Sequence, residues 1–121
     1  MSLINELKAE IKKVKKPIRI VYAEGWNKDI QKAVVEVLKI TDKKILPILI
    51  FKTEVEAKVS LPKEVKKVII DKDDLTKYVE TIYEARKLKG LKHEEAEEMA
   101  TKPFYLASAM VASGDADGEI C

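Results

Sequence analysis

Apolar and polar positions along the first two thirds of the chain follow the pattern of alternating strands and helices. The apolar runs at residues 18–22, 45–51 and 65–70 are short and rich in β-branched residues, which predicts three strands. The run at 45–51 is almost continuously apolar, as in a strand that is covered on both faces of a parallel sheet.

Apolar residues around these runs recur at helical spacing. Residues 3–14 predict a helix that Pro17 stops, and Asn27 is suited to cap the next one. Thr53 is expected to begin a short helix, and the turn at Asp71–Asp74 leads into a longer one. The predicted apolar faces are Leu3, Leu7, Ile11 and Val14; Ile30, Val34, Val37 and Leu38; and Leu75, Tyr78, Val79, Ile82 and Tyr83. This order predicts an α/β fold with a mainly parallel sheet and helices on both faces.

After Gly90 the alternation gives way to two further helical patterns. Residues 93–100 predict a short acidic helix, and Pro103 suits the first turn of another helix whose small residues permit close packing. The segment Gly114–Gly118 then predicts a turn that closes this helix and leads into a strand. Because a domain does not normally stop where a strand begins, we expect the chain to be part of a larger protein.

Length and composition are those of one globular α/β domain, residues 1–121. The chain is 46% hydrophobic, and no apolar run approaches the roughly 20 residues that span a bilayer. One cysteine and one histidine exclude an intramolecular disulfide and a Cys/His metal cluster. The amphipathic, acid-containing N-terminus does not resemble a secretory signal. These features indicate a cytoplasmic protein without a membrane partner or a bound metal.

Charge is distributed unevenly along the chain. Residues 1–70 carry 16 basic and 9 acidic side chains, whereas residues 71–121 carry 7 basic and 12 acidic ones. A basic half is compatible with nucleic-acid binding. However, its lysines are spread over helix faces and loops with almost no aromatic residues among them for base stacking, so a solvated surface is favoured and no nucleic-acid partner is expected.

The residues contain no complete catalytic constellation. His93 stands at a helix start beside glutamates, where an exposed capping role is favoured over catalysis. Asp115 and Asp117 are too closely spaced for a calcium loop and fit a structural turn better. Glu24 and Gly25 follow a strand, where parallel α/β sheets usually build their sites, but the pair is a short motif. Cys121 is the terminal residue, and no role is assigned to it.

Arg86 is the strongest candidate for a ligand contact. It is expected at a helix C-terminus, with Lys87 and Lys89 close behind and Gly90 closing the turn. Cations at the C-terminus of a helix are stabilised by the helix dipole, so these three cations can be explained without a ligand. Three cations within four residues also suit a phosphorylated ligand, because arginine presents a planar fork to phosphate. The residues alone leave both interpretations open.

Taken together, these motifs resemble the N-terminal part of the phosphate acetyltransferases and, more widely, the phosphate acetyl/butyryl-transferase family. The resemblance covers essentially the whole chain. Its segments are A-E-G-W-N-K-D-I-Q-K-A-V from residue 23, Y-E-A-R-K-L-K-G from residue 83, P-F-Y-L-A-S-A-M-V from residue 103 and G-D-A-D-G from residue 114.

The resemblance implies an enzyme that moves an acyl group between acyl phosphate and coenzyme A. It implies a three-layer α/β/α fold of the isocitrate/isopropylmalate dehydrogenase-like type, truncated here, with the site in a cleft between two domains of a homodimeric protein. Coenzyme A is a substrate in such enzymes, and no tightly bound cofactor is expected. The arginine of Y-E-A-R-K-L-K-G, Arg86, is implied to bind coenzyme A through its phosphates.

Two departures from the family pattern stand out. Ala23 occupies the position where family members typically have a proline, and Glu119-Ile-Cys121 stands where they commonly run into Ser-Gly. The resemblance also places the serine, arginine and aspartate of the chemical step beyond residue 121, so we expect this chain alone to be inactive. The rival interpretation is a free-standing, non-catalytic α/β module that binds a ligand or a partner. The resemblance places most residues of the acyl pocket beyond residue 121, so acetyl and butyryl transfer both stay open.

Overall fold

The computed structural model describes residues 16–121, so the helix predicted for residues 3–14 lies outside the described residues. The helix predicted to follow Asn27 and the helix predicted to end at Arg86 are present, as are all three predicted strands. The elements follow in the order β1 (Ile18–Tyr22), α1 (Lys28–Ile40), β2 (Ile45–Phe51), β3 (Lys66–Ile69), α2 (Thr76–Arg86), α3 (His93–Ala100), α4 (Pro103–Ala112) and β4 (Gly118–Ile120).

The four strands described form one parallel sheet in the order β3-β2-β1-β4. Val21 of β1 lies opposite Ile48 of β2 on one side and Glu119 of β4 on the other. Because the strands are parallel, their carboxyl ends meet at one edge of the sheet. The loops after β1, β2 and β3 therefore lie at that edge.

Helices cover both faces of the sheet, because successive side chains of each strand point to opposite sides. Val34 and Leu38 of α1 pack on one face, and Leu106 and Met110 of α4 pack on the other. The first face is built around Tyr22, Leu49 and Phe51, and the second around Val21, Ile48, Ile50 and Val68. Each large apolar side chain buried here contributes about 1.5–3 kcal/mol to folding. The predicted three-layer α/β/α arrangement is confirmed.

A third apolar cluster joins α2, α3 and α4. Its alanines, Ala96, Ala100 and Ala109, are at most 3% exposed, so these helices approach closely. Near the start of α2, Tyr78 contacts Asp115, which follows the end of α4. At the other end of α2, Arg86 lies beside Tyr105 near the start of α4. The two helices therefore run antiparallel.

The prediction of a helix that begins at Thr53 is wrong, because residues 54–57 form a single turn and an irregular segment follows them. The side chain of Glu56 accepts the backbone N–H groups of Lys52 and Thr53, and Thr53 Oγ1 accepts that of Glu56. These bonds reproduce a helix-capping box. No helix continues from it, and Val55 in this turn is 76% exposed instead of packing against the core.

Candidate functional site

The loop after β1 is held tightly against the carboxyl edge of the sheet. The backbone N–H of Gly25 donates to the carbonyl of Ile50 at 2.9 Å, and Gln31 Nε2 donates to the carbonyl of Gly25 at 2.9 Å. A Cβ atom at Gly25 would lie 2.5 Å from that carbonyl oxygen of Ile50. Glycine is therefore required at this position by close backbone packing rather than by an unusual φ angle.

Several chemically distinct groups meet near this edge. The ammonium group of Lys52 lies over the ring of Trp26, 4.6 Å from its centroid. Cys121 follows β4 and is exposed, but partial burial, together with Glu119 and Glu24, raises the pKa of its thiol. A raised pKa disfavours the thiolate, which is the nucleophilic form. This environment does not activate Cys121.

Arg86, the residue predicted to bind a ligand, is exposed and ends α2. Its guanidinium carbon lies over the ring of Tyr105, 5.6 Å from the ring centroid. Among residues 16–121, no carboxylate forms an ion pair with it. Gly90, with φ 92°, closes the following 3-10 turn as predicted.

The three cations near the end of α2 are not equivalent. Lys87 Nζ lies 2.6 Å from Glu84 Oε2, and this contact raises the pKa of Lys87. Lys89 is exposed and, within the described part of the chain, has no ion-pair partner. Arg86 and Lys89 are therefore the cations whose donors remain available to an anion.

A shallow cleft of about 120 Å³ lies between α2 and α4 beside Arg86 and Tyr105. Its remaining lining is formed by Thr81, Ile82, Ala85, Met99, Ser108, Ala109 and Ala112. Most of these side chains are small or apolar, and Ser108 donates to Glu119 of β4 at 3.0 Å. Arg86 thus stands at the border of a mainly apolar surface.

His93 is exposed, as predicted, but it does not cap α3. Glu95 does so, because its carboxylate accepts the backbone N–H of Lys92 at 2.9 Å. His93 instead lies 2.6 Å from Glu80 of α2 through Nε2 and 3.1 Å from Glu97 of α3 through Nδ1. These contacts, first that to Glu80, raise the pKa of His93. Both ring nitrogens are engaged, so the ring links two helices rather than serving as a free base.

Asp115 and Asp117 stabilise the turn between α4 and β4. Asp115 accepts hydrogen bonds from Lys77 Nζ and Tyr78 Oη, each at 2.7 Å. Asp117 accepts the backbone N–H of Arg19 at 2.8 Å, and this bond is the first cause of its lowered pKa. The interpretation of these residues as parts of a structural turn is supported by these bonds, whereas their partners, distant in sequence, were not predicted.

Within residues 16–121, no cluster of three histidine, cysteine, aspartate or glutamate side chains is arranged to hold a metal ion. The helices described for this range are also too short or too polar to cross a membrane.

Comparison with known proteins identifies the relatives of the chain. Phosphate acetyltransferases of Mycoplasma genitalium and Mycoplasma pneumoniae are 37% and 34% identical to it over its full length. The chain spans 37% of the length of each of these curated relatives.

Solved structures show the same fold. EutD phosphotransacetylase from Staphylococcus aureus superposes with a TM-score of 0.79 at 23% identity, covering 98% of this chain and 38% of that one. A phosphotransacetylase from Streptococcus pyogenes gives 0.77 at 23% identity, covering 98% and 37%. The family model described as phosphate acetyl/butaryl transferase matches residues 2–121, and the chain therefore belongs to that family.

Proposed function

We propose that this chain supplies the coenzyme A-binding part of an enzyme that moves an acetyl group between acetyl phosphate and coenzyme A. The observation that carries the proposal is the family match over residues 2–121. The name phosphate acetyltransferase, borne by both curated relatives, supports acetyl as the transferred group. Since the chain spans 37% of their length, we take residues 1–121 as one α/β domain of a two-domain enzyme.

Arg86 is the proposed contact to coenzyme A in this chain. Three observations support it: the side chain is exposed, it has no carboxylate partner among residues 16–121, and it borders the cleft between α2 and α4. A guanidinium group binds phosphate oxygens through two parallel hydrogen bonds. Lys89 adds a second available cation three residues away, so the end of α2 suits the phosphate groups of coenzyme A.

The proposed reaction is an acyl transfer in a ternary complex. The thiolate of coenzyme A attacks the acetyl carbonyl, a carbon–sulfur bond forms, and the bond from that carbon to the phosphate oxygen breaks as phosphate leaves. The nucleophile of this step is the thiolate of coenzyme A itself, and His93, which could serve as its base, is paired with two glutamates within residues 16–121. This chain alone is therefore expected to bind coenzyme A without turnover.

The cellular context is part of the same proposal. We place the parent enzyme in the cytoplasm as a homodimer, without a nucleic-acid or membrane partner. Coenzyme A acts as a substrate that exchanges in each cycle, and no tightly bound cofactor is needed. Light scattering coupled to size-exclusion chromatography of the full-length protein would measure twice the protomer mass, and a monomer would contradict the dimer.

Formation of acetyl-CoA from acetyl phosphate and coenzyme A by the full-length protein that contains this chain tests the activity. No turnover by that protein would overturn the proposed reaction. In the same enzyme, Arg86→Gln should raise the KM for coenzyme A by about tenfold or more, since hydrogen bonds to charged groups contribute about 1.5–3 kcal/mol. An unchanged KM would remove the assignment of Arg86.

A further inference from the structure

We propose that Tyr105 is a positioning residue for Arg86. Its ring restrains the guanidinium group through a cation–π contact, which uses none of the N–H donors that a phosphate of coenzyme A would bind. This inference rests on the proposed function as far as the ligand is concerned, whereas the contact between Arg86 and Tyr105 can be measured without any ligand.

The two residues meet because α2 and α4 run antiparallel. Arg86 is the last residue of α2 and Tyr105 lies in the first turn of α4, so the guanidinium carbon comes to 5.6 Å from the ring centroid. The backbone of Arg86 is held as well, since its carbonyl accepts the N–H of Leu91 at 3.3 Å. The backbones of Arg86 and Tyr105 are therefore both held in place by regular structure.

The neighbouring Lys87 shows how a carboxylate partner would orient a cation at this end of α2. Lys87 is held by the carboxylate of Glu84 at 2.6 Å, which occupies its ammonium donors and offsets its charge. Within residues 16–121, Arg86 has no such carboxylate, and the ring of Tyr105 is the contact observed for its guanidinium group. An aromatic ring restrains a guanidinium group without consuming its hydrogen-bond donors.

The ring of Tyr105, rather than its hydroxyl group, makes this contact. Tyr105 is 41% exposed, and its hydroxyl group forms no hydrogen bond within the described part of the chain. The helix beneath it is firmly packed, because Pro103 and Leu106 on either side of Tyr105 are buried. Phenylalanine at position 105 should therefore preserve the contact, whereas leucine should remove it.

The chemistry of the guanidinium group explains why the contact with Tyr105 favours phosphate binding. Its N–H donors lie in the plane of the group and match the oxygens of a phosphate in pairs. A cation–π contact with an aromatic ring occupies none of these donors and restricts the rotation of a long, exposed side chain. Less motion is then lost on binding, which is the usual benefit of preorganisation.

Nuclear magnetic resonance on the 121-residue chain tests both parts of the inference. Without ligand, the aromatic ring current should displace the Hδ and Hε signals of Arg86 in the wild type and in Tyr105→Phe. This displacement should disappear in Tyr105→Leu. Titration with coenzyme A should give a Kd about two to five times higher for Tyr105→Leu than for the wild type, as expected for an exposed cation–π contact. Pantetheine, which lacks the phosphates of coenzyme A, should show no such difference.

Two results would overturn the positioning role: Arg86 signals that are the same in Tyr105→Leu and the wild type, or a lost ring-current shift with an unchanged Kd for coenzyme A. A variant that loses the dispersed amide spectrum would be replaced by Tyr105→Met at the same position, with the same expected outcome. If coenzyme A displaces no signal of the wild-type chain, the proposed coenzyme A site in this chain is wrong, and so is the role of Tyr105 in coenzyme A binding. The ring-current comparison still tests, without any ligand, whether Arg86 contacts the ring of Tyr105.

Discussion

The hydroxyl group of Tyr78 donates a hydrogen bond of 2.7 Å to Asp115, which joins the first turn of α2 to the turn between α4 and β4. Lys77 binds the other carboxylate oxygen of Asp115, also at 2.7 Å. Burial and the bond to Asp115 raise the pKa of Tyr78, while Lys77, followed by Tyr78, lowers the pKa of Asp115. The phenol therefore remains a donor and the carboxylate an acceptor throughout the neutral range.

Tyr78→Phe should lower the free energy of unfolding by about 1–2 kcal/mol, because it removes a hydrogen bond to a charged acceptor. Urea denaturation measures this loss. Lys77→Ala is the matched control, since it removes an exposed ion pair to the same carboxylate and should cost at most about 1 kcal/mol. A larger loss of stability for Lys77→Ala than for Tyr78→Phe would contradict the greater contribution expected of the part-buried bond between Tyr78 and Asp115.

His93 should make stability depend on pH near neutrality. A carboxylate accepts hydrogen bonds and does not donate them, so both contacts of His93, to Glu80 and Glu97, require a protonated ring. Its pKa is raised in the folded chain, first by Glu80. The stabilisation is thus fully present below the unfolded pKa of about 6.5 and is lost as pH rises through the folded pKa.

Thermal unfolding of the wild type and His93→Gln, followed from about pH 5.5 to pH 8.5, tests this dependence on either side of the unfolded histidine pKa. The difference in Tm should be largest at the acidic end and should shrink as the pH rises. Glu80→Gln should reduce the same difference, because it removes the principal partner of the ring. A difference that grows with pH would contradict the assignment, since it would require a lowered pKa for His93.

Gly25→Ala and Gly114→Ala should destabilise the chain for different reasons. At Gly25 the new Cβ would lie 2.5 Å from the carbonyl oxygen of Ile50, so backbone must move, at a cost of about 1–3 kcal/mol or more. At Gly114, φ is 87° and an added Cβ would meet no atom within 4 Å beyond its chain neighbours, so the cost is conformational, about 1–2 kcal/mol.

Asparagine separates the two mechanisms, because it tolerates the left-handed region better than alanine does. Gly114→Asn should recover part of the stability lost in Gly114→Ala, whereas Gly25→Asn should be no better than Gly25→Ala. Denaturant midpoints of the four variants measure this. Recovery at position 25 would show that the carbonyl of Ile50 is not the obstacle.

Features with a local physical cause were predictable from the sequence. Asn27 caps α1 by accepting the N–H groups of Asp29 and Ile30, and Pro103 occupies the first turn of α4, as short-range rules predict. The helix expected from Thr53 failed although its capping box formed. A capping box satisfies backbone groups only at the start of a helix, and nothing at Val55 packs against the core to continue it.

The contacts of the candidate site were less predictable because they join distant segments. Arg86 was placed correctly at a helix end, but its contact with Tyr105 depends on the antiparallel packing of α2 against α4. Likewise, the partner of Asp117 is Arg19, 98 residues away in the sequence, across the pairing of β1 with β4. Side-chain periodicity indicates which face of an element is buried, whereas it does not specify which charged residues meet.

A change that conserves charge at Arg86 distinguishes its geometry from its electrostatics. Arg86→Lys keeps the positive charge but loses the planar guanidinium group with its paired N–H donors. The Kd for coenzyme A should therefore rise about fivefold to tenfold, because part of the binding free energy of a charged hydrogen bond depends on that pairing. Lys87→Arg is the matched control, because it also conserves charge and sits beside Glu84 rather than facing the cleft. Its Kd should remain that of the wild type. Calorimetric or spectroscopic titration with coenzyme A measures both variants. If Arg86→Lys binds as the wild type does, Arg86 acts as a simple positive charge, and neither the paired hydrogen bonds nor the support of Tyr105 contributes to affinity.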